Sequence, residues 1–411
     1  MSGITLSASV RQNLLSLQDT ANLLAQTQTH LATGKKVNSA LDNPTNFFTA
    51  AGLDSRASDI GNLLDSIGNG VQILQAANTG ITSLSSLVDT AKSIANQALQ
   101  QSSGYSTKAN VTFTGTTATP TGTVSSSDIN EDVNAGEVFT FKTSAGTAAT
   151  ITLAGSYTAF NSTTKAASVH SLADLNQALS DAGVGLTASL NSTGTITFTS
   201  SNDNAGQVIT ASTTAPTTAD AVAISSGGTA STVTAAIADP VSQATRASLV
   251  TQYNQVITQI NNTALDSSFN GVNLLNGDTL KLVFDETGKS TLSITGVTFN
   301  AGGLGLASLA AGTDFIDNLH TNSVLTALNT ASTTLRAQAS AFGANLSVVQ
   351  IRQDFNKNLI NVLQTGSSNL TLADANEEAA NSQALSTRQS IAVSALALAN
   401  QSQQSVLQLL R

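Results

Sequence analysis

The sequence predicts an α+β fold: a long antiparallel helical bundle or coiled coil built from both termini with a β-hairpin, plus an inserted β-rich outer domain. Three observations support this prediction. Apolar residues recur at every seventh position near both ends, capping residues and prolines mark helix starts, and residues 105–238 alternate with a period of two. A seven-residue apolar repeat is typical of helices that bury a narrow stripe against other helices, whereas a period of two is typical of strands.

The first repeat lies near the N-terminal end and combines a seven-residue column with two offset positions: Val10, Leu14, Leu17, Ala21, Leu24 and Leu31. Two further columns have the same spacing: Ile60, Ile67, Leu74, Ile81 and Val88, and then Leu328, Leu335, Phe342 and Val349. Every aromatic residue lies between Phe47 and Phe355, so neither terminal stretch has a bulky ring to anchor a core of its own. Both ends are therefore suited to joining a helical bundle.

Helix boundaries follow from capping residues. Asn43-Pro44 and Asp239-Pro240 each combine an N-capping residue with a proline in the first turn, where its missing N–H has no partner to lose. Gly34 follows the first repeat as a helix stop. The predicted helices are 4–33, 44–100, 240–264, 320–364 and 371–410.

The last two predicted elements of the helical scaffold are a capping box and a strand pair. Thr371 and Asp374 have the spacing of a capping box that opens the final helix. Between the third and fourth helices, a strand pair is predicted at 279–284 and 290–299, joined by a turn that contains Gly288.

Residues 105–238 are rich in Thr, Ser, Ala and Gly and differ in kind from the helical ends. A short helix at 172–181 is predicted from the capping box of Ser171 and Asp174. The predicted strands are 138–141, 149–153, 184–190 and 195–199. The segment is therefore interpreted as a β-rich domain inserted into a helical scaffold.

Composition excludes several function classes. The net charge is −9 and charged residues make up only 10%, without a basic cluster, so neither nucleic acid nor a membrane is an expected partner. The absence of Cys excludes disulfides and thiol catalysis. The first thirty residues contain one Lys or Arg, Arg11, and no apolar run typical of a signal peptide. We expect either a cytosolic protein or one exported without a cleaved signal peptide.

Catalytic chemistry finds no support in the sequence. The three histidines, His30, His170 and His320, lack carboxylates at metal-ligand spacing. The glycines at 302–305 lack the Lys-Ser/Thr sequence of a phosphate loop, and no Gly-x-Ser-x-Gly motif occurs. We therefore expect no enzyme activity, with no catalytic residue, metal or cofactor.

Four segments, in order, carry a family resemblance. They are Leu-Ala-Thr-Gly-Lys-Lys-Val-Asn-Ser-Ala-Leu-Asp at 31–42, Gly-Val-Gln-Ile-Leu-Gln-Ala-Ala at 70–77, Phe-Asn-Gly-Val-Asn-Leu-Leu at 269–275, and the ending at 397–411. Through these segments the chain resembles bacterial flagellin. One departure is the position of the insert, which separates the second helix from the third, whereas in many flagellins the outer domain follows the hairpin.

The resemblance implies a division of the chain. Residues 1–42 and 367–411 would be inner-tube terminal helices, 43–104 and 239–366 a helical bundle with a β-hairpin, and 105–238 the inserted β-rich outer domain. It also implies a structural subunit that self-assembles into the flagellar filament and serves motility. The expected location is extracellular, in the flagellum, reached without a cleaved signal peptide.

The resemblance further implies partners: other copies of the chain in a helical homopolymer, an export chaperone on the C-terminal helix, and hook-associated and cap proteins. The residues predicted to mediate subunit assembly are Val10, Leu14, Leu17, Ala21, Leu24, Leu31, Leu385, Leu396, Ala399, Val406 and Leu410. Two alternatives remain open. One is a hook–filament junction protein, and the other is a secreted adhesin in which the β insert binds a ligand.

Overall fold

The computed structural model describes residues 8–102, 104–114, 126–129, 136–218, 221–226 and 229–409. The helices are α1 (Ala8–Thr33), α2 (Pro44–Gln100), α3 (Leu172–Asp181), α4 (Pro240–Asp266), α5 (Asn318–Thr371) and α6 (Ala375–Leu409). The strands up to the short helix are β1 (Tyr105–Thr107), β2 (Asn110–Thr114), β3 (Val138–Thr143), β4 (Gly146–Leu153), β5 (Thr158–Asn161) and β6 (Ala166–Val169). The later strands are β7 (Leu186–Leu190), β8 (Thr195–Ser200), β9 (Val208–Ala211), β10 (Ala221–Ser226), β11 (Thr229–Thr234), β12 (Ile237–Ala238), β13 (Thr279–Val283) and β14 (Thr291–Thr295).

Contacts divide the chain into two units. The first consists of Met1–Gln72, Leu280–Ile294 and Ala344–Arg411, and the second of Ile73–Thr279 and Thr295–Gly343. The whole insert, 105–238, lies in the second unit together with helical residues on both sides of it. This division follows boundaries different from those of the three predicted domains.

The predicted helix starts at Pro44 and Pro240 are confirmed. Asn43 Oδ1 accepts a hydrogen bond from the backbone N–H of Asn46 at 3.0 Å. The Asp239 carboxylate caps α4, since its Oδ2 accepts a hydrogen bond from the backbone N–H of Ser242 at 3.2 Å. Each cap satisfies one of the backbone donors that a helix leaves unpaired at its N-terminus.

The junction between α5 and α6 differs from the prediction. Thr371 does not open the last helix: its hydroxyl donates to Ser367 O at 2.9 Å within α5, which continues to Thr371 instead of ending at 364. Asp374 caps α6 instead, accepting from Asn376 N at 2.9 Å. The capping-box spacing was misleading because Thr371 satisfies its hydroxyl inside the preceding helix.

The seven-residue repeats form the buried side of the long helices. The α2 column is at most 2% exposed at every position: Ile60, Ile67, Leu74, Ile81 and Val88. Leu328, Leu335, Phe342 and Val349 of α5 are also buried. Full burial of one such side chain contributes about 1.5–3 kcal/mol, so these columns dominate the stability of the helical part.

The predicted strand pair is confirmed as β13 and β14, which pair with each other. Its closing turn is held by Asp285, whose carboxylate accepts from Ser290 N at 2.8 Å. Gly70 of α2 allows this pair to approach the helix, because a Cβ at Gly70 would lie only 2.5 Å from Leu282 Cδ2. The glycine therefore has a packing role in the first unit.

The insert contains two main sheets. One has the strand order β5-β6-β4-β3-β10-β9, and the other has the order β11-β2-β8-β7. Their shared core includes four phenylalanine rings in edge-to-face contact, with centroids 5.0–5.9 Å apart: Phe113, Phe139, Phe141 and Phe198. The predicted strands correspond to β3, β4, β7 and β8, whereas the other strands of the insert were not predicted.

The short helix α3 has the predicted bounds and covers one edge of the four-stranded sheet. Its capping box of Ser171 and Asp174 is present, and Leu175 and Leu179 are buried. The Asn176 side chain accepts from Ala188 N at 2.7 Å and donates to Ala188 O at 3.0 Å. Ala188 lies in the edge strand β7, so this side chain pairs with backbone groups that a neighbouring strand would otherwise occupy.

The chain leaves and re-enters the helical scaffold at one place. Strands β1 and β12 pair antiparallel there, and Asp239 N donates to Gly104 O at 2.9 Å. Arg246 of α4 is 1% exposed; its Nε donates to Ser102 O at 3.1 Å and its Nη2 to Gln101 O at 3.2 Å. Its Nη1 donates to Phe315 O. Arg246 thus ties the end of α2 to the segment that precedes α5.

Tyr253 follows Arg246 by seven residues, about two turns further along the same face of α4, and packs edge-to-face on the Phe315 ring with centroids 5.8 Å apart. The Tyr253 side chain is 1% exposed. Burial raises the pKa of Tyr253 to about 12, because the phenolate would lose its hydration there.

Arg246→Met is expected to lower the free energy of unfolding by about 3 kcal/mol, because buried carbonyls left without a donor cost about 1–3 kcal/mol each. Urea unfolding followed by circular dichroism measures the change. Arg336→Met makes the same substitution at an exposed site on α5 and serves as the control. Equal stability of the two variants would contradict the role assigned to Arg246.

Stability should also fall at high pH through Tyr253. The folded pKa is raised above the ordinary value of 10.0 to about 12, so the contribution of neutral Tyr253 is fully present below pH 10 and is lost as pH rises from 10 towards 12. The loss amounts to about 2–3 kcal/mol. Urea midpoints across this range should fall less steeply in Tyr253→Phe than in the wild-type protein. Tyr157→Phe, at an exposed site, should keep the wild-type slope.

Candidate assembly surface

The terminal helices α1 and α6 are brought together by the loop and helix end that connect them to the scaffold. Gly34 ends α1 with a φ of +69°, a conformation that glycine adopts without strain. Lys36 N then donates to Thr371 O at 2.8 Å, and Ala373 N donates to Gly34 O at 3.0 Å. The end of α1 and the start of α6 therefore lie side by side, and the two helices pack antiparallel.

The seam between α1 and α6 repeats every seven residues. On α1 the seam has two columns of buried and half-buried positions. The apolar column is Val10, Leu17 and Leu24, and the polar column is Asn13, Thr20 and Thr27. On α6 the half-buried positions are Leu385, Ala392 and Ala399, and Ser382, Gln389 and Leu396. Because about half of these positions are polar or small, the seam fixes the pairing of the helices while burying little apolar surface.

A hydrogen-bonded pair of side chains closes one end of the seam. His30 Nδ1 lies 2.8 Å from Glu378 Oε1, and both side chains are more than four-fifths buried. Each of the other two histidines also has a carboxylate nearby: His170 Nδ1 lies 3.6 Å from an Asp128 oxygen, and His320 Nδ1 lies 2.6 Å from Asp317 Oδ1. Glu378, the partner of His30, lies 348 residues away in the chain, so sequence spacing could not reveal this pair.

The structure separates the predicted assembly residues into two sets. Those on the seam face the other terminal helix of the same chain: Val10, Leu17, Leu24, Leu385, Leu396 and Ala399. Ala21 is half-buried beside Thr20 of the seam. Leu14 and Leu31 are exposed, by 38% and 45%. Val406 lies in the last turns of α6, and Leu410 lies outside the described residues. The role of the whole set in contacts between subunits stays a prediction.

Exposed apolar residues that the sequence reasoning missed form further stripes. On α6, Ile391 and Leu398 are seven residues apart and 64% and 70% exposed. On α5, a second column lies beside the buried one and is 45–66% exposed: Val348, Ile351, Phe355 and Val362. The seven-residue spacing of Val348, Phe355 and Val362 was a signal that could have identified this stripe from sequence.

The loop between α1 and α2 presents one more apolar side chain. Asp42 Oδ2 accepts from Asn38 N at 2.9 Å and from Ser39 N at 2.8 Å. These backbone hydrogen bonds, that of Ser39 first, lower the pKa of Asp42. The loop is thus held in one shape, with Leu41 almost fully exposed at its tip.

Within the described part of the chain, no group of three or more His, Cys, Asp or Glu side chains could hold a metal ion. In the same part, no helix combines the length and apolar character needed to cross a membrane.

Comparison with known proteins identifies both helical ends. Residues 5–112 match the family model of the bacterial flagellin N-terminal helical region, and residues 325–410 match that of the bacterial flagellin C-terminal helical region. The chain belongs to the bacterial flagellin family. The two matches include α1, all of α2, α5 from residue 325 onwards, and α6. They therefore contain the helices α1, α5 and α6 that carry the seam and the exposed stripes.

Curated flagellins are similar to this chain over part of their length. Flagellin FljM of Caulobacter vibrioides is 31% identical over 164 residues, which are 40% of this chain and 59% of the relative. A flagellin of Brucella melitensis is 29% identical over 174 residues, 39% of this chain and 61% of the relative. Flagellin A of Rhizobium meliloti is 32% identical over 90 residues, 22% of this chain and 23% of the relative. The similarity to these first relatives therefore spans about three fifths of their length or less.

The exposed α6 stripe can be separated from the seam by substitution. Leu398→Asp should leave the helical signal and unfolding midpoint of the monomer unchanged, because Leu398 is 70% exposed, yet prevent polymer formation. Leu396→Asp, on the half-buried seam, should lower both. Asn400→Asp introduces the same charge on another face of α6 and is the control. Polymers of normal length from Leu398→Asp would rule out a role for this stripe.

Proposed function

We propose that this flagellin-family chain is the self-assembling structural subunit of a bacterial flagellar filament and serves cell motility. The observation that carries the proposal is the pair of terminal helices, which bury a seam against each other and still expose apolar stripes at seven-residue spacing. A stripe of this spacing matches the surface of another helix. Other copies of the chain supply such helices in large number.

The energetics favour association through these stripes. Ile391, Leu398, Val348, Phe355 and Val362 are each exposed by 45% or more. Burying the exposed part of one such side chain contributes on the order of 1 kcal/mol, and each contact recurs in every subunit of a polymer. The low content of charged residues, 10%, keeps the desolvation cost of bringing such helices together small.

The exposed stripe on α6 also supports the predicted partners. A C-terminal helix with uncovered apolar residues needs protection before assembly, and an export chaperone on that helix would supply it. The subunit would then leave the cell without a cleaved signal peptide and join hook-associated and cap proteins at the ends of an extracellular filament. Mass spectrometry of the external protein tests the export route: loss of an N-terminal leader would contradict it.

The alternatives make a different prediction about abundance. A hook–filament junction protein or an adhesin would be a minor component of sheared cell-surface material, whereas a filament subunit would dominate it. The described residues offer no observation that favours either alternative. Catalysis forms no part of the proposal.

Electron microscopy provides the direct test of assembly. Purified monomer treated with a precipitating salt should form long helical filaments of uniform diameter, because salts of this kind strengthen apolar association. Correctly folded monomer that forms only amorphous aggregate or stays monomeric under these conditions would contradict the proposal.

Removal of the insert should preserve polymerisation. The hydrogen bond between Asp239 N and Gly104 O shows that the two ends of the insert meet, so a short Gly-Ser link can replace residues 105–238 without moving the helices. The expected product is a thinner filament, measured by electron microscopy. A folded truncated monomer that fails to polymerise would show that contacts between inserts are required.

A further inference from the structure

A cleft at the base of the insert combines features of a ligand site. Its volume is about 460 Å³, within the range of roughly 300–1,000 Å³ that small-molecule sites occupy. One wall comes from the insert, through Tyr105, residues 204–208 and Thr218, and the other from residues 312–320 before and within the first turn of α5. Both walls belong to the second unit.

The apolar surface of the cleft is held in place by close packing. Gly206 lies against the Tyr105 ring, since a Cβ at Gly206 would be only 2.2 Å from Tyr105 Oη. Val208, Ile316 and Leu319 complete the apolar lining. The cleft therefore presents an aromatic side chain whose position is fixed by the backbone behind it.

The opposite wall is also fixed before any ligand binds. Phe315 is fully buried with a φ of +56°, a conformation that costs a non-glycine residue energy and persists only where neighbours impose it. The Arg246 guanidinium holds the Phe315 carbonyl. Two residues further on, Asp317 accepts from His320 N at 3.0 Å and lies 2.6 Å from His320 Nδ1, which fixes the orientation of the imidazole. A wall formed in advance reduces the ordering cost of binding.

The polar groups of the cleft determine the class of ligand. Among the described residues that line it there is no Lys or Arg, and the Nδ1 of its one histidine, His320, is already paired with Asp317, so an anionic ligand would have no permanently charged partner. The one carboxylate in the lining, Asp317, is 2% exposed and already engaged with His320, which is too few oxygen ligands for a divalent cation. The other polar side chains of the lining are neutral: the hydroxyls of Tyr105, Thr218 and Thr313 and the amides of Asn204 and Gln207.

We propose that this cleft binds a neutral polyhydroxylated ligand, a small saccharide, with hydroxyl groups on the threonine and amide side and a ring face on the Tyr105 side. The insert would then add ligand recognition to the helical subunit. This inference stands independently of filament assembly, because the cleft is complete within one chain.

Saturation-transfer NMR on the full-length monomer tests the proposal, with glucose, galactose, mannose and N-acetylglucosamine as separate probes. Thr313→Trp and Thr218→Trp fill the cleft from its two walls, and both start from exposed side chains, which favours correct folding. Thr163→Trp makes the same substitution at an exposed turn outside the cleft and is the matched control. Circular dichroism verifies folding in each case.

At least one sugar should give saturation transfer with the wild-type protein and with Thr163→Trp, and the signal should fall at least tenfold in both filled variants. The proposal is overturned if none of the four sugars gives a signal, or if the signal survives in either folded variant with a filled cleft. Calorimetric titration with inorganic phosphate tests whether the cleft prefers an anion. Binding of phosphate but of none of the sugars would contradict the proposal of a neutral ligand.

Discussion

A helix with a seven-residue apolar repeat needs a helical neighbour along the whole length of each apolar stripe, and this requirement organises the molecule. In α2 it is met completely, since the column from Ile60 to Val88 is buried at every position. In α1 and α6 it is met on one side only, by a seam in which polar residues such as Thr20 and Gln389 alternate with apolar ones. In α5 the column at Val348, Phe355 and Val362 stays exposed beside a buried one. Within one chain, some apolar stripes therefore have no helix packed against them.

The chain enters and leaves the insert at one place, where Asp239 N donates to Gly104 O, and the insert contacts the start of α5 again through Asp203. Arg246 binds carbonyls on both sides of the connection, from Gln101 and Ser102 at the end of α2 and from Phe315 before α5. A guanidinium has five donors in a rigid plane, which suits it to hold several carbonyls together. Arg246 thereby holds α4, the end of α2 and the segment before α5 together at the point where the insert begins and ends.

Much of the helical part could be predicted from sequence, because its signals are local. Asn43-Pro44 fixes the start of α2 at the correct residue, and an uninterrupted repeat carries the prediction to its end. The strands of the insert were harder, since a segment such as Ala166–Val169 has small side chains and little alternation. The hydrogen bond between His30 and Glu378 and the contacts of Arg246 join residues far apart in the chain, so no local pattern could indicate them.

The assembly residues show a second limit of sequence reasoning. Spacing gives the period of a stripe but not the direction in which it faces. Leu14 and Leu17 belong to the same predicted set, yet Leu17 is half-buried on the seam and Leu14 is exposed. The direction is set by where α6 lies, and that depends on the backbone hydrogen bonds between residues 34–36 and 371–373.

The two hydrogen bonds between the Asn176 side chain and the Ala188 backbone have a consequence for the polymer proposed above. An uncovered edge strand can accept a strand from the next molecule, and the high local concentration of a polymer surface would make such exchange frequent. Here a side-chain amide occupies both backbone groups of Ala188 at the middle of β7. This asparagine therefore removes both backbone groups of Ala188 from those with which a strand of another copy could pair.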